Sequence, residues 1–273
     1  MSKIKLVALD MDGTAYAGLG QYVEENIEPI NQAIKQGVKV VFVTGRPVHA
    51  KYNRFDVYDF DKNEALVAGF NGALIYNWAN NQVVEANPIP SKIVKEAFEI
   101  LKEEKYSEVE VWGYAKSFDY SYINKPLESS MYLSHEGEFF HKEVVLFDNV
   151  KEVEDCYKLI MFNVNRELVE RIKLLGLEVA WNEGIHAAEI NLKGINKAYA
   201  LKFLSKHYSI DASEMMSMGD GSNDIPMLEY AGLSIATANA TDVVKECAKE
   251  VSQYTNLEGA VAKAIKKYVL GEN

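Results

Sequence analysis

Positive charge is scarce in this sequence. Lys and Arg number 29 against 40 Asp and Glu, which leaves a net charge of −11 with histidine neutral. A nucleic-acid partner favours a basic face, and an anionic membrane surface favours clustered Lys and Arg, so neither partner is expected. Cysteine is scarcer still. Cys156 and Cys247 stand far apart and form no CxxC pair, and two lone thiols in a chain of 273 residues fit a reducing, cytoplasmic compartment. Long apolar runs are missing as well. The N-terminal run Ile4–Leu9 stops at Asp10, too short and too acidic-ended for a signal peptide or a membrane span. There is no G-x-x-x-x-G-K-[ST] phosphate loop and no G-x-G-x-x-G after a strand, which removes the two commonest nucleotide-binding signatures. No internal repeat or low-complexity segment is visible.

Against these absences stand an ordinary globular composition, 48% hydrophobic and 25% charged, and a length that suits one large or two ordinary domains. The most informative segment is Asp10-Met11-Asp12-Gly13-Thr14, directly after the apolar run. Along an extended backbone, side chains at i and i+2 point the same way, so Asp10 and Asp12 are expected to face one pocket, with Gly13 letting the chain leave sharply. Two carboxylates at the end of a buried strand can hold a divalent cation and divide nucleophilic and acid/base work. Alone, Asp-Gly is also an ordinary turn.

Three further motifs follow in order. Thr44-Gly45-Arg46 ends the apolar run Val38–Val43. Lys197 opens a helix-like stretch after Gly194-Ile195-Asn196. Gly219-Asp220-Gly221-Ser222-Asn223-Asp224 follows the run Met215–Met218. The last has oxygens at alternating positions like a calcium loop, but an EF-hand needs Gly at position 6 and Glu at position 12, where this chain has Ile225 and Ala231.

With these four motifs, and Asn71-Gly72-Ala73 as an addition, the chain resembles the haloacid dehalogenase superfamily of phosphatases, most closely its Cof-type subfamily. The resemblance covers essentially the whole chain. It implies that Asp10 is the nucleophile and that Asp12 is the general acid and base. It also implies that Thr44 and the Gly45 amide bind phosphoryl oxygens and that Lys197 supplies a fixed positive charge. Asp10, the Asp12 backbone carbonyl and Asp220 are assigned as the metal ligands, and hard oxygen donors suit Mg²⁺. Asn223 is expected on phosphate or on a metal-bound water. Thr14 is expected to hold Asp12, and Asp224 to orient Lys197 or the waters. Arg46 is read as structural, and His186 as a structural histidine that also lies near enough to Trp181 to be weighed as a leaving-group contact. The cap aromatics, Tyr114, Tyr120, Tyr122, Phe139 and Phe140, are read as packing.

The expected fold is a doubly wound α/β core with a parallel, Rossmann-like sheet, formed by residues 1–83 and 193–273. An α/β cap over residues 84–192 is inserted in it. Strands are expected at Ile4–Leu9, Val38–Val43, Ala65–Ala68, Ala73–Tyr76, Met215–Met218 and Leu233–Ala236. Helices are expected to about Lys105 from a cap at Ser91, and over Glu167–Leu175, Lys197–Tyr208, Ile225–Tyr230 and Leu257–Tyr268. The expected substrate is a small cytosolic phosphate ester, of the sugar phosphate, pyridoxal phosphate or flavin mononucleotide type, acted on by a monomer or homodimer. A phosphomutase on the same scaffold and a non-catalytic phosphate- or sugar-phosphate-sensing module are the alternatives. Two positions depart from the subfamily pattern: Ala15-Tyr16 stands where a bulky aliphatic is usual, and Ala198 where glycine follows the lysine.

Overall fold

The structure, a computed structural model, describes residues 3–18, 20–50, 52–60, 64–139, 143–181 and 187–272. The chain divides into two compact units, one of Met1–Val48, Tyr52–Val84 and Asn196–Asn273, the other of His49–Lys51 and Glu85–Ile195.

The first unit is built on a five-stranded sheet in the order Glu250–Val251, Leu233–Ala236, Met215–Gly219, Leu6–Leu9, Lys39–Phe42, with every neighbouring pair parallel. All four residues of Leu6–Leu9 are buried, as a strand covered on both faces requires. On one side Leu6, Ala8 and Met215 pack against Ala200, Leu201 and Leu204 of the helix Lys197–Tyr208. The helix Glu24–Lys35 carries acids in its first turn and Lys35 in its last, each matched to the local sign of the helix dipole. From Leu6–Leu9 the chain goes first to the neighbour on one side, Lys39–Phe42, and later to Met215–Gly219 on the other. This reversal opens a crevice at the carboxyl ends of the three strands.

The short strands at Leu66–Gly69 and Leu74–Asn77 do not extend the parallel sheet. They pair antiparallel with each other, within a separate three-stranded sheet that includes Gln82–Ala86. A single parallel bridge, Val43 to Ala68, ties that sheet to the core.

The second unit is a six-stranded sheet in the order Glu143–Leu146, Tyr120–Ile123, Glu110–Ala115, Cys156–Phe162, Ala187–Leu192, Leu177–Ala180. It is antiparallel except where Glu143–Leu146 lies parallel to Tyr120–Ile123. Val94, Ala97 and Phe98 of the helix Ser91–Ile100, and Leu168 and Ile172 of Arg166–Leu174, pack with Val111, Leu159 and Met161 of the sheet. The alternate register mixes buried apolar residues, Trp112, Ile160 and Phe162, with polar pairs: Lys158 with Glu189 at 2.7 Å, and the Tyr114 hydroxyl with Glu136. Ser91 does not cap its helix. It is the first helical residue, and its amide donates to Asp155 Oδ1 at 2.9 Å. The helix ends at Ile100 rather than near Lys105, and the closing segment breaks into Ala260–Ile265 and a final π-type turn, Lys266–Leu270. Among the described residues no helix is long and apolar enough to cross a membrane.

Candidate active site

Three strand ends define the site. Asp10 follows Leu9 directly, and its amide donates to Met218 O at 3.0 Å, which locks it beside the strand that delivers Asp220. Thr44 lies just past Phe42 on the other flank, and its amide donates to Ala68 O at 2.8 Å. Asp220 follows Gly219. The fourth contribution comes from a helix start. Asn196 caps Lys197–Tyr208 by accepting the amides of Ala198 and Tyr199 at 3.1 and 3.2 Å, which fixes where Lys197 begins.

A lysine at a helix start is ordinarily solvated, but Lys197 is fully buried. Its Nζ donates to Asp10 Oδ1 and to Asp224 Oδ1, both at 2.5 Å. Among the described residues no donor reaches Asp10 Oδ2. Asp224 is buried as well, and its second oxygen accepts the amides of Asp220 and Gly221 at 2.9 and 2.8 Å. Both oxygens of Asp224 are thus committed to holding Lys197 and the turn.

Asp12 and Thr14 are arranged differently from the expectation. The strand ends at Leu9, so the i, i+2 alternation does not carry on to Asp12. Gly13 turns with φ +80, and a Cβ there would lie 2.3 Å from Asp220 Oδ2. The bend leaves Asp12 exposed and turns Thr14 inward, where its hydroxyl donates to Asp220 Oδ1 at 2.7 Å. Thr14 therefore holds Asp220. The group that holds Asp12 is Arg46: its Nε donates to Asp12 Oδ2 at 2.6 Å and its Nη2 to Asp12 Oδ1. Arg46 is 4% exposed, lies over the Tyr16 ring, and donates its backbone amide to Thr44 Oγ1 at 3.1 Å. Sequence reasoning passed over this pairing because it depends on which strands are neighbours. The available signal was the arginine itself, two residues beyond a strand-end threonine.

The loop that carries the two aspartates is also gripped through its backbone. Asn239 donates to Gly13 O at 2.8 Å, Asn26 to Ala15 O at 3.1 Å and Asn256 to Tyr16 O at 2.9 Å. None of the three asparagines carries a readable signature, since each acts on a segment remote in sequence. Asn71 and Asn223 meet across the site, with Asn223 Nδ2 donating to Asn71 Oδ1 at 3.2 Å. Gly45 is half-buried beside Thr44. His186 lies outside the described residues, as does Phe140. Tyr122 is core packing, and Tyr120 packs against that core.

The electrostatics leave the site short of positive charge. Carboxylate oxygens of Asp10, Asp220 and Asp224 lie within 4.8 Å of one another. Burial pushes the Asp10 carboxyl well above its ordinary value, the charge of Asp224 adds to this, and Lys197 only partly opposes it. Burial and then Asp224 push Asp220 up to about 6, against the Thr14 hydrogen bond. Burial alone would lower Lys197, but the charges of Asp10 and Asp224 outweigh it and its pKa is raised. One ammonium among three carboxylates leaves a surplus of negative charge in a low-dielectric crevice, and a hard dication is what oxygen donors in that setting fit.

Residues 7–265 match the haloacid dehalogenase-like hydrolase family. The 5-amino-6-(5-phospho-D-ribitylamino)uracil phosphatase YcsE of Bacillus subtilis is 30% identical over 98% of this chain and 96% of its own. The phosphoglycolate phosphatase of Methanobrevibacter smithii is 29% identical over 98% of this chain and 99% of its own. Among solved structures, BT1666 of Bacteroides thetaiotaomicron, a phosphatase of the haloalkanoate superfamily, is similar with a TM-score of 0.81 at 25% identity, over 97% of this chain and 95% of that one.

Proposed function

We propose, from the premise that the chain belongs to the haloacid dehalogenase-like hydrolase family, that it is a Mg²⁺-dependent phosphomonoester hydrolase working through an aspartyl-phosphate. The observation that carries this reading is the buried ammonium of Lys197, 2.5 Å from Asp10 Oδ1 at the end of the first strand. It fixes one oxygen of Asp10 and leaves the other for attack on phosphorus.

In this mechanism Asp10 Oδ2 bonds to phosphorus as the ester P–O bond breaks. Asp12 gives the departing alkoxide its proton, then takes one from the water that cleaves the acyl-phosphate. Arg46 sets where Asp12 waits. Lys197, the Thr44 hydroxyl, the Gly45 amide and Asn223 stabilise charge spread over the phosphoryl oxygens. Asp224 keeps Lys197 aimed. The carboxylates of Asp10 and Asp220 and the backbone carbonyl of Asp12 would hold Mg²⁺, which when bound supplies positive charge against the phosphoryl oxygens.

The substrate class is a small phosphorylated metabolite. The two curated relatives, of nearly equal likeness, are named for different phosphate esters, so we assign discrimination to the inserted unit Glu85–Ile195 rather than to the strand-end motifs. The reading is tested by phosphate release from a panel of phosphate esters with and without Mg²⁺, beside Asp10→Asn. That variant keeps the side-chain volume but cannot form an acyl-phosphate, and a loss of at least about a thousandfold in kcat is expected. Near wild-type turnover by Asp10→Asn would end the nucleophile assignment.

A further inference from the structure

Asn71 sits in a backbone conformation that the chain adopts at a steric cost. Phe70, Asn71 and Gly72 have φ of 51, 58 and 94, so three consecutive residues lie in the left-handed region and two of them are not glycine. Asparagine tolerates that region, but a buried phenylalanine does so only under constraint from its surroundings. The constraint is visible. The Phe70 amide donates to Arg46 O at 3.0 Å, and the Asn71 amide to Thr44 O at 2.9 Å. A Cβ on Gly72 would lie 2.9 Å from Asn196 O, the residue that caps the Lys197 helix. This one turn is therefore braced against the segments that carry Thr44, Arg46 and Lys197. Its side chain reaches the remaining segment: Asn71, 3% exposed, accepts from Asn223 Nδ2 at 3.2 Å. Asn223 is the residue before Asp224, whose carboxylate holds Lys197.

We infer that Asn71 is a positioning residue of the phosphate site: its side-chain carbonyl fixes the amide plane of Asn223, and the left-handed turn exists to deliver that carbonyl. The inference rests on the phosphatase reading above, in which Asn223 meets a phosphoryl oxygen. Anchoring one N–H of a primary amide stops rotation of its plane, so the rest of the amide is held in one orientation before a ligand arrives.

Glycine separates this role from a purely structural one. Asn71→Gly removes the acceptor at a left-handed position that glycine adopts freely, so the variant should still fold, which circular dichroism checks. The probe is inorganic phosphate, used as a competitive inhibitor of p-nitrophenyl phosphate hydrolysis with Mg²⁺ present. Asn71→Gly is expected to weaken phosphate inhibition and raise KM about three- to tenfold, with a smaller change in kcat. Because the effect passes through Asn223, phosphate should inhibit the double variant Asn71→Gly/Asn223→Ala no more weakly than it inhibits Asn223→Ala alone. Should Asn71→Gly fold poorly, Asn71→Ser, whose hydroxyl is too short to reach Asn223, takes its place in the same cycle. Wild-type phosphate inhibition in Asn71→Gly, or losses that multiply in the double variant, would overturn the inference and leave the phosphatase reading standing. A wild-type chain that neither binds phosphate nor releases it would overturn both.

Discussion

At the residue scale, the Arg46–Asp12 pair would set the terms for the proton transfer proposed for Asp12. A two-bond guanidinium–carboxylate contact is both strong and directional, and lysine cannot reproduce it. In the proposed role Asp12 would give up part of that grip to reach a leaving group. Without Arg46 the exposed carboxylate would sample many orientations. Arg46→Met and Arg46→Lys should both lower kcat, by roughly 10- to 100-fold, with the larger loss on alkyl esters than on p-nitrophenyl phosphate, whose leaving group needs little protonation. Single-turnover rates on the two ester types check this, and equal losses on both would contradict it. The pairing was not legible in the sequence because its partners are 34 residues apart and meet only once strand neighbours are known.

The carboxylates make a second residue-scale prediction, with its sign fixed by linkage. Asp220, ordinarily near 3.8, is pushed up to about 6 by burial and then by Asp224. A carboxyl whose folded pKa exceeds its unfolded one stabilises the fold while protonated, and that contribution disappears as pH rises through the folded value. The metal-free protein should therefore lose stability between about pH 4 and about pH 6. In the proposed metal site Mg²⁺ would take only the ionised group, so its stabilising effect should grow across the same window. The increment in Tm on adding Mg²⁺ is expected to be small at about pH 5 and larger at about pH 7.5. An increment that shrinks as pH rises would contradict the site.

At the scale of elements, what could be read from the sequence was local. The strands Leu6–Leu9 and Met215–Gly219 announce themselves as short apolar runs closed by a polar break, and the breaks carry the aspartates. The helices Lys197–Tyr208 and Ile225–Tyr230 have the bounds that periodicity suggests. Segments that depend on remote partners escaped. Leu133–Phe139 and Glu143–Leu146 lack a clear apolar period, and the latter pairs parallel to Tyr120–Ile123, which no turn signal foretells. The cap of Ser91–Ile100 escaped for the same reason, since Asp155 reaches it from 64 residues away. Asp155→Ala should cost about 1 kcal/mol, as loss of a side-chain cap usually does. A denaturation midpoint unchanged in the variant, with the same slope, would show that water replaces the carboxylate there at no cost.

At the scale of the whole molecule, the strand-end groups and the inserted unit are separable in sequence, since Asp10, Asp12, Thr44, Lys197 and Asp220 all fall in the first unit. On the proposed assignment of Mg²⁺ to the strand ends and of specificity to the inserted unit, replacing residues 85–195 with a short Gly/Ser linker should preserve Mg²⁺ binding and collapse the ranking among natural phosphate esters. Circular dichroism and sizing come first, to establish a folded product. A folded truncate that keeps the intact chain's substrate ranking would remove the inserted unit as the specificity element.

The asparagine grip on the catalytic loop has a consequence in time. Asn239 and Asn256 lie 226 and 240 residues beyond the carbonyls they hold, and Asn26 is itself fixed by the amide of Ala262, 236 residues further on. On a ribosome, the Asp10–Tyr16 segment emerges well before Asn239, Asn256 and Ala262. A nascent chain carries Asp10 through more than two hundred residues of further synthesis before Asn239, Asn256 and Ala262 can make these contacts. A message cut short before Asn256 would encode every motif of the site and still yield a loop without the Asn256 contact to Tyr16 O and without the Ala262 amide that fixes Asn26.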